Sequence, residues 1–237
     1  EVRRNGPDTA RRTIVTANAE TGDILWRQRV SANTLIPLVV SGQKVMYQTD
    51  KHLACLALDT GDEVWKVDHP VNLGKNKKTI SWASPTLTAQ NDIAYVADFR
   101  KLSAVSVTDG RILWTCSARE GFSSPPDIFV INGLMWRGYT GQRGGTDFGE
   151  GLNAITGELE KTLETSKAWE YPTLAHARCY RPKATNRFIL ASRSGVEFIN
   201  VDSGKVNLNY WVRGTCQYGI MPCNGLLYAP PHSCACN

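Results

Sequence analysis

A chain of 237 residues that is 42% hydrophobic and 21% charged has the composition of a folded domain with a sizeable core, which excludes an intrinsically disordered protein. Its 27 Lys and Arg against 22 Asp and Glu leave a net charge of +5, with the basic residues scattered, a balance that favours solubility and argues against a nucleic-acid partner. No run of about 18 apolar residues occurs, so the sequence holds no transmembrane helix.

The chain opens on Glu1, Val2, Arg3 and Arg4, with neither Met nor the apolar core of a leader, as expected of an excised or processed piece. The first recognisable element is a hairpin: an alternating run through Thr16, a turn closing on Gly22, then Ile24, Leu25 and Trp26. The same unit returns from Cys55 to Trp65 and from Ala104 to Trp114, and in weaker copies from Leu152 to Leu159 and from Phe198 to Val206. Asp or Thr beside Gly supplies the positive φ of a tight turn, and the flanks alternate as half-buried strands do. Turn glycines at 22, 61, 110, 157 and 204 are spaced by 39, 49, 47 and 47 residues, the length of a repeated four-strand unit.

Between these turns the alternation predicts strands over 38–40, 45–47 and 53–58, then 85–88, 93–97 and 102–107, then 127–131, 134–137 and 151–155, and finally 188–191 and 196–201. No segment longer than about ten residues keeps a helical period. The expectation is a single all-β domain over 1–237, with repeats near 1–30, 31–70, 80–118, 122–165 and 173–212. Residues 213–237 form a Cys-rich start of a further blade or a terminal segment. The fold expected is a β-propeller of four-stranded antiparallel blades, about five blades or part-blades, with the ring incomplete. A sandwich is disfavoured because Trp recurs four residues after the turn Gly at 26, 65 and 114. A single indole on an apolar strand signals core packing, but three at one offset signal a repeated contact between blades.

Five of the seven cysteines, Cys179, Cys216, Cys223, Cys234 and Cys236, fall in the last quarter of the chain. That density suits a compartment where disulfides persist, so a periplasmic or secreted location is expected. The odd total leaves a thiol, a partner beyond the chain, or a metal.

The repeated strings resemble the Ala-x-Asp-x-x-x-Gly-x-x-x-Trp tryptophan-docking motif of pyrroloquinoline-quinone (PQQ)-like propellers, the group of quinoprotein alcohol dehydrogenases and the related lipoprotein of outer-membrane protein assembly. Ala57, Asp59, Gly61 and Trp65 fit a form shortened by two residues; Trp26, Gly110 and Trp114 belong to partial fits. The resemblance implies that Trp26, Asp59, Gly61, Trp65, Gly110 and Trp114 are blade-docking residues. In the last two copies Glu160-Lys161 and Asn207-Leu208 stand where Trp would, so other side chains must close those blades. PQQ with calcium is the cofactor set of the family's enzymes, which carry an adjacent Cys pair; this sequence has none. The carboxy-terminal third, with His176 to Tyr180, Arg213 to Gly219 and Pro222 to Cys236, resembles a cysteine-rich subgroup of secreted bacterial proteins of this kind.

The sharpest candidate constellation is His232, Cys234 and Cys236 with His176 and Cys179, nitrogen and sulfur donors suited to copper or zinc. The competing assignment is disulfides among Cys179, Cys216, Cys223, Cys234 and Cys236, and the Cys-x-x-Cys pairs of a structural zinc site are absent. The glycine-rich stretch from Gly141 to Gly151 lacks the Gly-Lys-Ser/Thr ending of a phosphate loop and is expected to be an inter-strand loop. Lys75 to Lys78 is expected to be a solvated loop. Asp127, Asp147, Glu150 and Glu170 are isolated acids, while Trp169, Tyr171, Tyr180 with Arg181, and Tyr210-Trp211 with Arg213 are candidates for stacking on a ligand at the central channel. Catalytic residues are not identified. The function expected is a binding or interaction scaffold that takes a protein or small-molecule ligand on its loop-bearing face, with remaining blades from the parent chain. The alternatives are a quinoprotein-type oxidoreductase and a copper or zinc site at the terminal cluster.

Overall fold

The computed structural model describes residues 10–32, 36–72, 84–118, 127–138, 148–165, 180–192, 195–215 and 218–231, and no helix occurs among them. Two compact units divide the chain, Glu1–Ala118 with Ser123–Pro125, and Arg119–Phe122 with Pro126–Asn237.

The first unit holds three antiparallel sheets. A two-stranded sheet pairs β1 (Ala10–Ala17) with β2 (Ile24–Ala32). The second sheet runs in sequence order through β3 (Leu38–Ser41), β4 (Lys44–Gln48), β5 (His52–Ala57) and β6 (Glu63–Asp68). The third does the same through β7 (Thr86–Gln90), β8 (Ile93–Ala97), β9 (Lys101–Ser106) and β10 (Ile112–Ser117). In the second unit a fourth sheet is built from β11 (Asp127–Ile131), β12 (Leu134–Gly138), β13 (Glu150–Asn153) and β14 (Leu159–Thr162). The fifth is built from β15 (Lys183–Ala184), β16 (Phe188–Ala191), β17 (Glu197–Asn200) and β18 (Val206–Asn207), and a sixth pairs β19 (Met221–Cys223) with β20 (Leu226–Tyr228). Glu150, expected in the glycine-rich loop, begins β13, and Gly151, expected to open the strand over 151–155, follows it, where a Cβ would come within 3.1 Å of the Trp136 ring.

The five turn glycines join β1 to β2, β5 to β6, β9 to β10, β13 to β14 and β17 to β18, with φ between 73° and 78°. In each turn the Gly N–H donates to the carbonyl four residues back, on Asn18, Ala57, Ser106, Asn153 or Asn200. Asn18, Asn153 and Asn200 then accept two backbone N–H bonds each at Oδ1 inside the turn, the Asx capping that makes Asn a local turn former. A register shift follows in four of the five hairpins, a recurring bulge that sharpens strand twist.

Central strands are buried on both faces, which a sheet covered on one side does not require. In β5, Ala54 and Leu56 face the first sheet through a cluster with Ile14, Val30 and Tyr47, while Leu53 and Cys55 face the third through Val96, Val105, Ala94 and Val107. Each Leu, Ile or Val among them contributes about 1.5–3 kcal/mol by leaving water. Outer strands β6 and β10 alternate between exposed and half-buried residues.

At the first seam Trp26 Nε1 donates to Leu58 O at 2.8 Å, and its ring lies over Gly61, where a Cβ would come within 2.6 Å. At the second, Trp65 Nε1 donates to Val107 O at 2.9 Å, and Trp65 and Val67 together cover Gly110. Trp114 lies against Tyr95 of its own sheet, ring centroids 6.0 Å apart. Asp59 is exposed in its turn. Between the fourth and fifth sheets the turn glycine is covered by Leu163 in place of an indole, with Ile131, Trp136, Phe148, Ile189, Ile199 and Val201 as the surrounding core.

Candidate functional site

In every four-stranded sheet the first-to-second and third-to-fourth strand turns lie at one end, and the connections from second to third strand and from sheet to sheet lie at the other. The strand termini that border the long connections 69–85, 139–149, 163–182 and 208–220 all lie at that second, loop-bearing end of their sheets. The buried polar residues follow the same division. Gln48, Thr49, His69, Asp98, Asp127, Thr165, Ser192 and Glu197 all sit at or just beyond strand termini on the loop-bearing end, and among the described residues only Ser103 lies within a strand.

A buried polar group must find a partner or cost about 1–3 kcal/mol, and most of these hold a loop base. Asp98 Oδ1 accepts the N–H groups of Arg100 and Lys101, and its Oδ2 accepts that of Asn72, all at 2.7 Å. Thr49 Oγ1 accepts from the N–H of His52 at 2.8 Å. Gln48 Nε2 donates to the carbonyls of Thr49 and His69 at 2.7 and 2.8 Å. Among the described residues the His69 ring nitrogens have no hydrogen-bond partner, and burial, helped by the Lys101 ammonium and opposed by Asp98, holds its pKa below the usual histidine value.

In the second unit Arg181 Nε donates to Asp127 Oδ1 at 2.6 Å, joining the start of β11 to the segment that enters β15. Burial still pushes the Asp127 carboxyl above its ordinary pKa, with the Arg181 guanidinium and Lys183 pulling it back. Arg137 Nη2 meets Glu150 Oε2 at 2.9 Å across β12 and β13. Tyr180 is buried, donates to Gly195 O at 2.9 Å and accepts from the Gly214 N–H, so it organises neighbouring loops. Ser192 Oγ donates to Tyr180 O, and Glu197 Oε1 accepts from the Gly195 N–H. Trp211 and Tyr218, both 81% exposed, belong to the connection before β19.

His176, Cys179, Cys216, His232, Cys234 and Cys236 lie outside the described residues, as do Asp147, Trp169, Glu170, Tyr171 and the Lys75–Lys78 run. Cys223 is exposed beside the β19–β20 turn and forms no disulfide among the described residues. No group of three or more His, Cys, Asp or Glu able to hold a metal occurs among the described residues, and no helix there is long and apolar enough to cross a membrane. The described residues do not fit a quinone with calcium: the sequence has no adjacent Cys pair, and Asp98, Asp127, Glu150 and Glu197 already serve backbone N–H groups or arginines.

The sequence matches a family model described as outer membrane protein assembly factor BamB over residues 7–74 and 49–207. No curated protein matches it as a relative. Among solved structures it is similar to BamB from Moraxella catarrhalis, with 14% identity and a TM-score of 0.54 over 86% of this chain and 58% of that one. It is also similar to the quinohemoprotein alcohol dehydrogenase ADHIIG from Pseudomonas putida HK5, with 14% identity and a TM-score of 0.53 over 80% of this chain and 38% of that one. The Pan2 WD40 domain from Neurospora crassa follows at 10% identity and a TM-score of 0.51, over 83% of this chain and 58% of that one. The chain thus spans little more than half the length of these proteins, or less, and at such identities they establish the fold, an incomplete all-β propeller. The chain belongs to the PQQ-like β-propeller repeat family represented by outer membrane protein assembly factor BamB.

Proposed function

We propose that this chain is a non-catalytic binding module of a periplasmic or secreted protein, whose blades are clamped by tryptophan docking and whose loop-bearing end takes a protein partner. The observation that carries this reading is the segregation of buried polar residues to that end, where most of them, His69 excepted, bond to loop backbone or to one another across the loops. Loops held by a rigid sheet scaffold suit recognition. The family's printed description, an assembly factor, agrees with a protein partner, and the local density of cysteines agrees with an oxidising compartment.

Photocrosslinkers placed at Lys51 and Arg100, on the loop-bearing end, and at Asp59 and Asp202, on the turn end, test the reading in the parent protein expressed in its own envelope. Crosslinks to one discrete partner from the first pair alone are expected; equal labelling from both ends refutes it. Reconstitution with PQQ and calcium followed by dye reduction with alcohols gives no turnover on this reading, and turnover would establish the oxidoreductase instead. Non-reducing peptide mapping is expected to find disulfides among Cys179, Cys216, Cys223, Cys234 and Cys236, whereas alkylation of all five without reductant removes that part of the proposal.

A further inference from the structure

The seam between the first and second sheets holds a polar groove of about 360 Å³ bordered by β2, β6 and the β4–β5 loop, with Gln28, Arg29, Tyr47, Lys51, Glu63 and Lys66 in its lining. It lies on the β2 side of the first sheet, so further strands paired beside β1 leave it as it is. Blade packing does not require a polar seam. Counted from the turn glycines, the same places between the second and third sheets hold Val67 for Gln28, Val96 for Tyr47, Ile112 for Glu63 and Thr115 for Lys66. Strand pairing agrees, since Tyr47 and Lys66 flank Ala54 as Val96 and Thr115 flank Ser103. Where two later seams put Val67 and Leu163 over a glycine, the first puts Gln28.

The polar groups of the groove are also uncommitted. Among the described residues Arg29, Lys51 and Lys66 enter no salt bridge, and the groove sets these three cations against the carboxylates of Asp50 and Glu63. Tyr47 is only 4% exposed, with its ring packed among Ile14, Val30, Ala54 and Leu56, and among the described residues its hydroxyl has no hydrogen-bond partner. Burial, reinforced by the Glu63 carboxylate, raises the Tyr47 pKa, so the phenol keeps its proton and is a donor. A buried hydroxyl ordinarily has a partner, and the groove is where this one can meet it.

We propose that this groove binds a hydroxylated phosphate ester, either a sugar phosphate in solution or the phosphate and hydroxyl groups of a lipid headgroup. The phosphoryl group meets Arg29, Lys51 and Lys66 through charge-assisted hydrogen bonds and takes a neutral one from the Tyr47 hydroxyl. Glu63 can only accept, so it selects a ligand that carries hydroxyls beside its charge, and the volume suits a hexose phosphate. This small-ligand site is separate from the protein partner proposed for the loops, and its occupancy is measured without that partner.

The test is calorimetric titration of the whole chain at low ionic strength with glucose 6-phosphate, inorganic phosphate and glucose. Glucose 6-phosphate is expected to bind about tenfold more tightly than phosphate, and glucose to give no measurable heat. Arg29→Gln and Lys66→Gln should each weaken the sugar phosphate about tenfold, and Tyr47→Phe, which keeps the ring in the core, about fivefold. Glu63→Ala should erase the preference for the sugar phosphate over phosphate. Arg100→Gln, at the place in the next seam equivalent to Lys51, should change nothing. Co-sedimentation with phosphatidylglycerol vesicles separates the two sources: retention that glucose 6-phosphate displaces assigns a lipid headgroup, and binding in solution without retention assigns the soluble ester. The proposal is overturned if neither the sugar phosphate nor the vesicles bind, if binding survives Arg29→Gln and Tyr47→Phe undiminished, or if phosphate binds as tightly as its sugar ester.

Discussion

The seams of the first unit and the seam between the fourth and fifth sheets solve one packing problem with different chemistry. In the first unit an indole covers a glycine of the next sheet and donates its N–H to a carbonyl just before that glycine. Between the fourth and fifth sheets a leucine covers the glycine, and the polar contribution moves to the opposite end as the Arg181–Asp127 pair, with Asn132 Nδ2 bonded to Asn186 O at the turn end. A neutral bond within an aromatic contact is insensitive to pH. A buried ion pair is not, and breaking one partner leaves a stranded charge.

The largest effect is therefore expected from Arg181→Met, which removes the guanidinium and leaves Asp127 buried without its counterion, at about 3–5 kcal/mol near neutral pH. Because burial raises the Asp127 pKa, the loss shrinks as pH falls through that raised value and the carboxyl takes up a proton. Denaturant unfolding at neutral and acidic pH measures it, and an equal loss at both would break the contrast drawn between the seams.

Next comes the covering residue itself. Trp65→Ala is expected to cost about 3–4 kcal/mol and Leu163→Ala about 2–3 kcal/mol. Trp65→Phe keeps most of the ring contact over Gly110 but forfeits the bond to Val107 O, for about 1 kcal/mol. If Trp65→Phe were as costly as Trp65→Ala, the hydrogen bond rather than burial would dominate the seam.

Two glycines then separate backbone conformation from packing. Gly22 and Gly61 share φ near 78°, but a Cβ on Gly22 meets nothing within 4 Å whereas one on Gly61 strikes the Trp26 ring. Gly22→Ala is expected to cost about 1–2 kcal/mol from conformation alone, and Gly61→Ala at least about 1 kcal/mol more. Thermal unfolding of the two variants measures the difference; equal losses would mean that the indole yields freely.

Local signals made the strands and turns legible. Alternation and a Gly with positive φ act within a few residues, so the five hairpin turns stand where the sequence places them. The seam of the second unit is less legible because Glu160-Lys161 stands four residues after the turn Gly, where the first three repeats carry Trp. The residue that covers Gly204 is Leu163, six positions after Gly157. That signal was present: Val67, six positions after Gly61, covers Gly110 beside Trp65, since residues two apart share a strand face. The Arg181–Asp127 pair joins residues 54 apart, and no local pattern announces it. The loop-end polar residues likewise look like ordinary strand-terminal residues until burial distinguishes them.

The smallest expected effect tests both regions together, because acid should move them in opposite directions. His69, in the first unit, is buried with its pKa lowered, so the unfolded chain binds a proton below about pH 6.5 that the folded seam refuses. Its contribution is therefore lost as pH falls from the ordinary histidine range toward the lowered value. Asp127, in the second unit, has a raised pKa, so the folded state binds its proton first and stability is gained as pH falls through that value toward the ordinary aspartate range near about 3.9. Hydrogen exchange corrected for intrinsic rates should show protection falling at β5 and β9 below about pH 6.5, with β12 and β17 gaining at more acidic pH from the Asp127 contribution. His69→Phe should flatten the first response and leave the second intact, whereas a slope at β5 that survives the substitution would assign the acid response to another group.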